Sequence, residues 1–311
     1  MKNYVLVVFL FIYSCANTKD LSSKPVVEPS ELIKVAVVNF KVNGNSNLEK
    51  HLSRIAAWAQ QASEGGASYL LLPELIVLDF FPHNPPDSEV PTLLQSLSEM
   101  SSAYEKSLVE ISKRWKVNLI GASVVIKHKK HYLNRAFYIN HSGKVHYQDK
   151  LQPTPWEIKH QFTGSKELKI FKNPDFKFVI LICHDAEFPD ISASLIKAKP
   201  EVIFVPSQTD GLKGLNRVKY TSAARAIEHM SYVLMTGTAG DEKAPWHSYI
   251  GQNFLFTPQN EYFPADNQSG KMNMEEISFF SLDLIQLRKA RGDNKQIYPA
   301  RDSLPIKVSY P

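Results

Sequence analysis

Short apolar runs alternate with stretches of helical periodicity from Ile33 to about Asn294, and this alternation limits the fold more than any other feature. Strands are expected at Ile33–Phe40, Tyr69–Glu74, Val117–Ile126, Ala136–Ile139 and Val145–Tyr147. Further strands are expected at Phe178–Cys183, Glu201–Pro206, Tyr232–Thr236, Asn253–Phe256 and Ile277–Leu282. Between them, Asn47–Ser63, Thr92–Trp115, Ile191–Ala198 and Leu215–Met230 follow a helical pattern. In the first of these, Leu48, Leu52, Ile55, Ala56 and Ala59 share one face, and Gly65-Gly66 supplies the stop. Such a sequence folds as one α/β domain. At 311 residues and 43% hydrophobic content it is able to bury a large core.

The net charge of +5 is spread along the chain, which excludes a nucleic-acid-binding module. The one dense basic run, Lys127–His131, lies between two strand-like segments and reads as a solvated hairpin tip. His128, His131, His141 and His146 are neighbours in sequence but lack a metal-ligand spacing, so no metal and no cofactor is expected.

The amino end has a different character. Lys2 precedes an apolar stretch from Tyr4 to Tyr13, followed by Ser14 and Cys15. The stretch is too short to span a bilayer and has the form of a secretory signal. Ile12-Tyr-Ser-Cys15 resembles the bacterial lipobox, which makes Cys15 the lipidation site. Residues 1–15 are then the signal segment and 16–32 a flexible tether. Residues 33–294 form the domain and 295–311 a C-terminal tail. An exported protein held to a bacterial membrane by a lipid anchor is expected.

Three strand ends present reactive groups: Glu74, Lys150 and Cys183. The carboxyl ends of strands are where open α/β sheets bind their ligands. A thiol is mostly protonated at neutral pH and needs a base or a nearby positive charge to act as a nucleophile. Glu74 can supply the base and Lys150 the charge. A helix starting directly after Cys183 would add a partial positive charge. The His184 backbone N–H is a candidate oxyanion donor.

Tyr69-Leu-Leu-Leu-Pro-Glu74, Asp149-Lys150 and Ile182-Cys-His-Asp-Ala-Glu-Phe-Pro-Asp190 together resemble the nitrilase, or carbon–nitrogen hydrolase, superfamily. Pro200–Ser207, Arg225-Ala-Ile-Glu228 and Leu282–Arg288 extend the resemblance over nearly all of the chain from Ile33. Pro153–Glu157 and Pro206–Gly211 look most like a branch often fused to an acetyltransferase domain. The resemblance implies a four-layer α-β-β-α sandwich, a Glu74-Lys150-Cys183 triad with Glu157 as a further carboxylate, and a homodimer or larger assembly. It implies an amidase-like hydrolase acting on a small-molecule amide through a cysteine thioester. Thioester-dependent acyl transfer and a catalytically silent binding protein on the same fold are the alternatives. Trp156, Phe188, Gln208, Thr209 and Asp210 are candidates for the pocket wall, while Asp185, Arg225 and Glu228 are expected to hold the structure.

Overall fold

The computed structural model describes residues 32–44, 46–81, 86–240 and 248–304. Cys15, the signal segment and nearly all of the expected tether lie outside these residues.

In chain order the first half comprises β1 (Leu32–Lys41), α1 (Leu48–Glu64), β2 (Tyr69–Leu72), α2 (Val90–Trp115), β3 (Asn118–His128), β4 (His131–Ile139), β5 (Val145–Asp149) and α3 (Pro155–Lys159). The second half comprises β6 (Phe171–Lys172), β7 (Lys177–Ile180), α4 (Pro189–Ala198), β8 (Val202–Val205), α5 (Gly211–His229), β9 (Tyr232–Met235), β10 (Thr238–Ala239), β11 (Phe254–Phe256), β12 (Gln268–Ser269), β13 (Glu276–Asp283), α6 (Leu284–Gly292) and α7 (Pro299–Asp302).

The strands form two sheets. One runs β10-β1-β2-β3-β4-β5, with β13 also pairing β1, and the other runs β12-β11-β9-β8-β7-β6. The side-chain alternation of β1 and β2 shows how they stack. Val35, Val37, Tyr69 and Leu71 share a core with Phe178, Ile180 and Phe204 of the second sheet. Their neighbours Ala36, Val38, Leu70 and Leu72 face the other way, onto Ile55 and Ala59 of α1 and Leu97, Tyr104 and Leu108 of α2. On the far side of the second sheet, Leu195 of α4 and Leu215, Val218 and Ala226 of α5 close the core. The chain is a four-layer α-β-β-α sandwich.

Local chemistry sets the boundaries. Asn47 caps α1 by accepting the Lys50 N–H at 2.9 Å. The basic run is the β3–β4 turn, with Lys129 in the left-handed region. Strand β4 begins at His131, five positions before the expected Ala136, because it pairs with β3 out to His128↔His131. Part of the expected tail is ordered: Tyr298 is buried in the sandwich core just before α7.

Candidate active site

The parallel strands of both sheets deliver polar groups to one region at their carboxyl ends. Glu74 follows β2. Leu75, just after it, adopts a left-handed conformation, and its N–H donates to Ser123 Oγ at 2.8 Å. Ser123 is in position because β3 bulges between Gly121 and Val124. Gly121 has φ +93°, and a Cβ there would collide with the Leu72 carbonyl oxygen.

Lys150 follows β5, and its N–H donates to the Asn134 carbonyl at 2.8 Å, continuing the β4–β5 ladder. Next to it, Arg135 makes a bidentate pair with Asp149 at 2.7 and 2.9 Å. Glu157 lies in α3, where a capping box fixes it. Its N–H donates to Thr154 Oγ1 at 3.2 Å and its Oε2 accepts the Thr154 N–H at 2.7 Å. That box turns Glu157 inward while Trp156 and Ile158 beside it stay exposed.

Cys183 follows β7. Pairing with β8 persists past the strand: Leu181 N–H donates to the Phe204 carbonyl at 2.9 Å, and Cys183 N–H to that of Pro206 at 3.0 Å. Cys183 itself has φ +49°, a left-handed conformation that is uncommon for a side-chain-bearing residue and marks a sharp turn. A 3₁₀ turn over Cys183–Glu187 follows, and α4 begins only at Pro189. No helix opens directly behind the thiol, which corrects that expectation; the helix expected from Ile191 starts at Pro189, a residue suited to the first helical position.

These groups meet in a buried cluster. Lys150 Nζ lies 2.8 Å from Glu74 Oε1 and 2.8 Å from Glu157 Oε2. Asn134 Nδ2 donates to Glu74 Oε1 at 2.8 Å and to Glu157 Oε1 at 3.0 Å. The Gln208 N–H donates to Glu74 Oε2 at 3.0 Å. The Cys183 thiol donates to the Gln208 carbonyl oxygen at 3.5 Å, and the Glu74 carboxylate is near enough to raise the thiol's proton affinity.

Burial raises Glu74 above the ordinary carboxylate value against the pull of Lys150, and the neighbouring Glu157 adds to the rise. Burial pushes Glu157 the same way but is outweighed by Lys150, the Thr154 N–H and Asn134, so Glu157 falls below its ordinary value. The two carboxyl groups are thus pushed apart. Lys150 loses some basicity to burial, yet its two carboxylates lift it well above the usual lysine range. Burial, with Glu74 adding, pushes the Cys183 thiol well up.

Residues 34–275 match the carbon-nitrogen hydrolase family. The chain belongs to that family. It is 25% identical over 279 residues to the probable hydrolase YhcX of Bacillus subtilis, covering 86% of this chain and 54% of that protein. The chain spans about half the length of the curated relatives it first matches. A solved amidase from Nesterenkonia sp. superposes with a TM-score of 0.70 at 20% identity, over 86% of this chain and 96% of that one. A mutant of that amidase, showing covalent addition of the acetamide moiety of fluoroacetamide at its active site cysteine, superposes with a TM-score of 0.68 at 19% identity, over 82% and 92% of the two chains. Those two likenesses show the shared fold.

In this member of the carbon-nitrogen hydrolase family, a cavity of about 390 Å³ opens onto Glu74, Lys150, Glu157 and Cys183. Trp156, Gln208 and Thr209 line it, and so does His184. Thr209 is tied down by donating from Oγ1 to the Ile250 carbonyl at 2.9 Å. Phe188 is corrected: it is not among the cavity-lining residues, because its ring packs on the sandwich core and stands edge-on to His184. Asp185, expected to be structural, is a clamp. Its buried carboxylate accepts N–H groups from Ile182, Leu151 and Gln152 at 3.1, 3.0 and 2.8 Å, joining the cysteine turn to the chain after Lys150. Arg225 and Glu228 pair at 2.6 Å, and Glu228 accepts from Ser192 Oγ at 2.7 Å, linking α5 to α4.

Sequence reasoning missed Asn134. Its signal was a buried-strand amide between Leu133 and Arg135, and starting that strand at Ala136 hid it.

Proposed function

We propose that the chain hydrolyses non-peptide carbon–nitrogen bonds in small-molecule amides through a thioester on Cys183. One observation carries the reading: Glu74, Lys150 and Cys183 border one cavity, with Lys150 Nζ 2.8 Å from Glu74 Oε1 in a buried cluster. A raised thiol pKa means Cys183 rests protonated, so attack needs a base in the same step. Glu74, raised toward neutrality, is better matched to that task than an ordinary carboxylate.

As sulfur bonds to the carbonyl carbon, the thiol proton passes to Glu74 and the carbonyl electron pair moves to oxygen. Lys150 and the His184 backbone N–H stabilise that oxyanion. Collapse breaks the carbon–nitrogen bond, and the amine leaves with the proton held by Glu74. Water then attacks the thioester with Glu74 as base. The acid departs and the thiol recovers its proton. Glu157 stays ionised and holds Lys150 in place. The covalent cysteine adduct in the Nesterenkonia amidase supports the nucleophile assignment.

Incubating the chain with an amide and with fluoroacetamide, then weighing the protein and its peptides, should reveal an adduct on Cys183. Cys183→Ala should abolish both adduct and turnover, and persistent turnover in that variant would sink the mechanism. We propose with it that Cys15 anchors the protein. Cys15→Ser should move it from the membrane to the soluble fraction, and unchanged partition would refute the anchor.

A further inference from the structure

Six charged side chains line the cavity that holds Cys183: Glu74, Lys150, Glu157, Glu187, Asp210 and Arg217. Among these described residues four are acids and two are bases. Most of them neutralise one another. Lys150 serves Glu74 and Glu157, and Glu187 is held by Arg217 at 3.0 Å and by His184 at 3.1 Å. Asp210 is different. Among the described residues its carboxylate has no cationic partner, and its side-chain hydrogen bond comes from Ser248 Oγ at 3.1 Å.

Asp210 also occupies the N-cap of α5, where an aspartate normally accepts a helix N–H. It makes no such bond. Its carboxylate is turned to Ser248 and the cavity wall, which leaves it available to a guest. The buried Tyr249 hydroxyl feels the charges of both Asp210 and Glu74, so Asp210 and the reacting centre border one space. Two residues earlier on the same wall, Gln208 Nε2 is buried with no partner among the described residues. An unmet buried donor is costly, and an acceptor on a bound molecule relieves it.

We propose that Asp210 binds a cationic amino group of the substrate, so that the site takes amides carrying a second, positively charged amine. The inference rests on the hydrolase reading above. The amide end of the substrate faces Cys183, the ammonium end faces Asp210, and the Gln208 amide meets a polar acceptor between them. Among the described residues that line the cavity, Arg217 is engaged by Glu187 and makes no pair with Asp210.

The test separates binding from chemistry. The full chain bearing Cys183→Ala is titrated with hexanamide and with 6-aminohexanamide at neutral pH. The aminated amide should bind about threefold more tightly, as expected for one charge pair at an exposed carboxylate. Adding Asp210→Asn should bring the ratio to about one, and Asp210→Glu should keep most of it. Equal affinity for the two amides, or a preference that survives Asp210→Asn, overturns the proposal. Turnover of both amides by the unmutated chain is measured in parallel. A binding preference without turnover would leave the ammonium site standing and remove the hydrolase reading. Turnover without a preference would do the reverse.

Discussion

Lys150 faces two buried carboxylates with one ammonium, and the residue-scale predictions follow from that imbalance. Lys150→Met leaves Glu74 and Glu157 side by side without a cation. Breaking a buried ion pair in this way costs about 3–5 kcal/mol. The variant should unfold at lower urea than the parent and show no turnover, and an unchanged midpoint would contradict the charge balance described. Activity should also follow Glu74. Its carboxyl is raised by burial, so it must lose its proton before it can act as base, and it does so at higher pH than a free carboxylate. The acid limb of kcat/KM should therefore fall above the ordinary glutamate range. A limb at or below that range would assign the base elsewhere. Cys183 was readable as a nucleophile because an apolar run ended on it. The role of Asn134 was not, nor were the partners of Asp185, whose structural role was expected, because each depends on a separate segment that only folding brings close.

At the scale of elements, the bulge in β3 acts on Glu74 from a distance. Gly121 admits the Leu72 carbonyl oxygen, the bulge places Ser123, and Ser123 holds Leu75 in the conformation that fixes the end of β2. Gly121→Ala combines a positive φ with a backbone collision, and a loss of about 3 kcal/mol is expected. Turnover should fall with it, and a protein of parental stability and rate would remove this chain of contacts. The longer elements were legible because periodicity sums over many residues, as in α1, α2 and β1. Two-residue strands such as β6, β10 and β12 carry no pattern of their own and exist only through their neighbours. The 3₁₀ turn behind Cys183 was also hidden, since a five-residue turn between a strand end and a later helix carries no periodicity of its own.

For the whole molecule, two buried groups tilt stability against pH in opposite directions. Burial lowers His229 from its ordinary 6.5 to about 4. Between those values the unfolded chain binds the extra proton, so this contribution is lost as pH falls. Burial raises Asp185 from 3.8 to about 7, against Lys150 and the backbone N–H groups it accepts. Between those values the folded chain binds the extra proton, so this contribution is lost as pH rises. The two windows overlap, and the slopes oppose. Against the background of the other buried groups, these two effects should offset one another in the urea midpoints from about pH 4.5 to about pH 6.5. Replacing His229 by Gln should make them fall with rising pH, and Asp185→Asn should make them climb. Tilts of the same sign in both variants would defeat the account. Asp185 also has a bearing on how the chain matures. Glu74, Asn134 and Lys150 arrive with the first sheet, Cys183 and Gln208 with the second, and Asp185 stitches the cysteine turn to the Lys150 loop. Neither sheet alone holds a working set of groups. During refolding, secondary structure should therefore return before activity, and activity should appear only in the phase in which the two sheets dock.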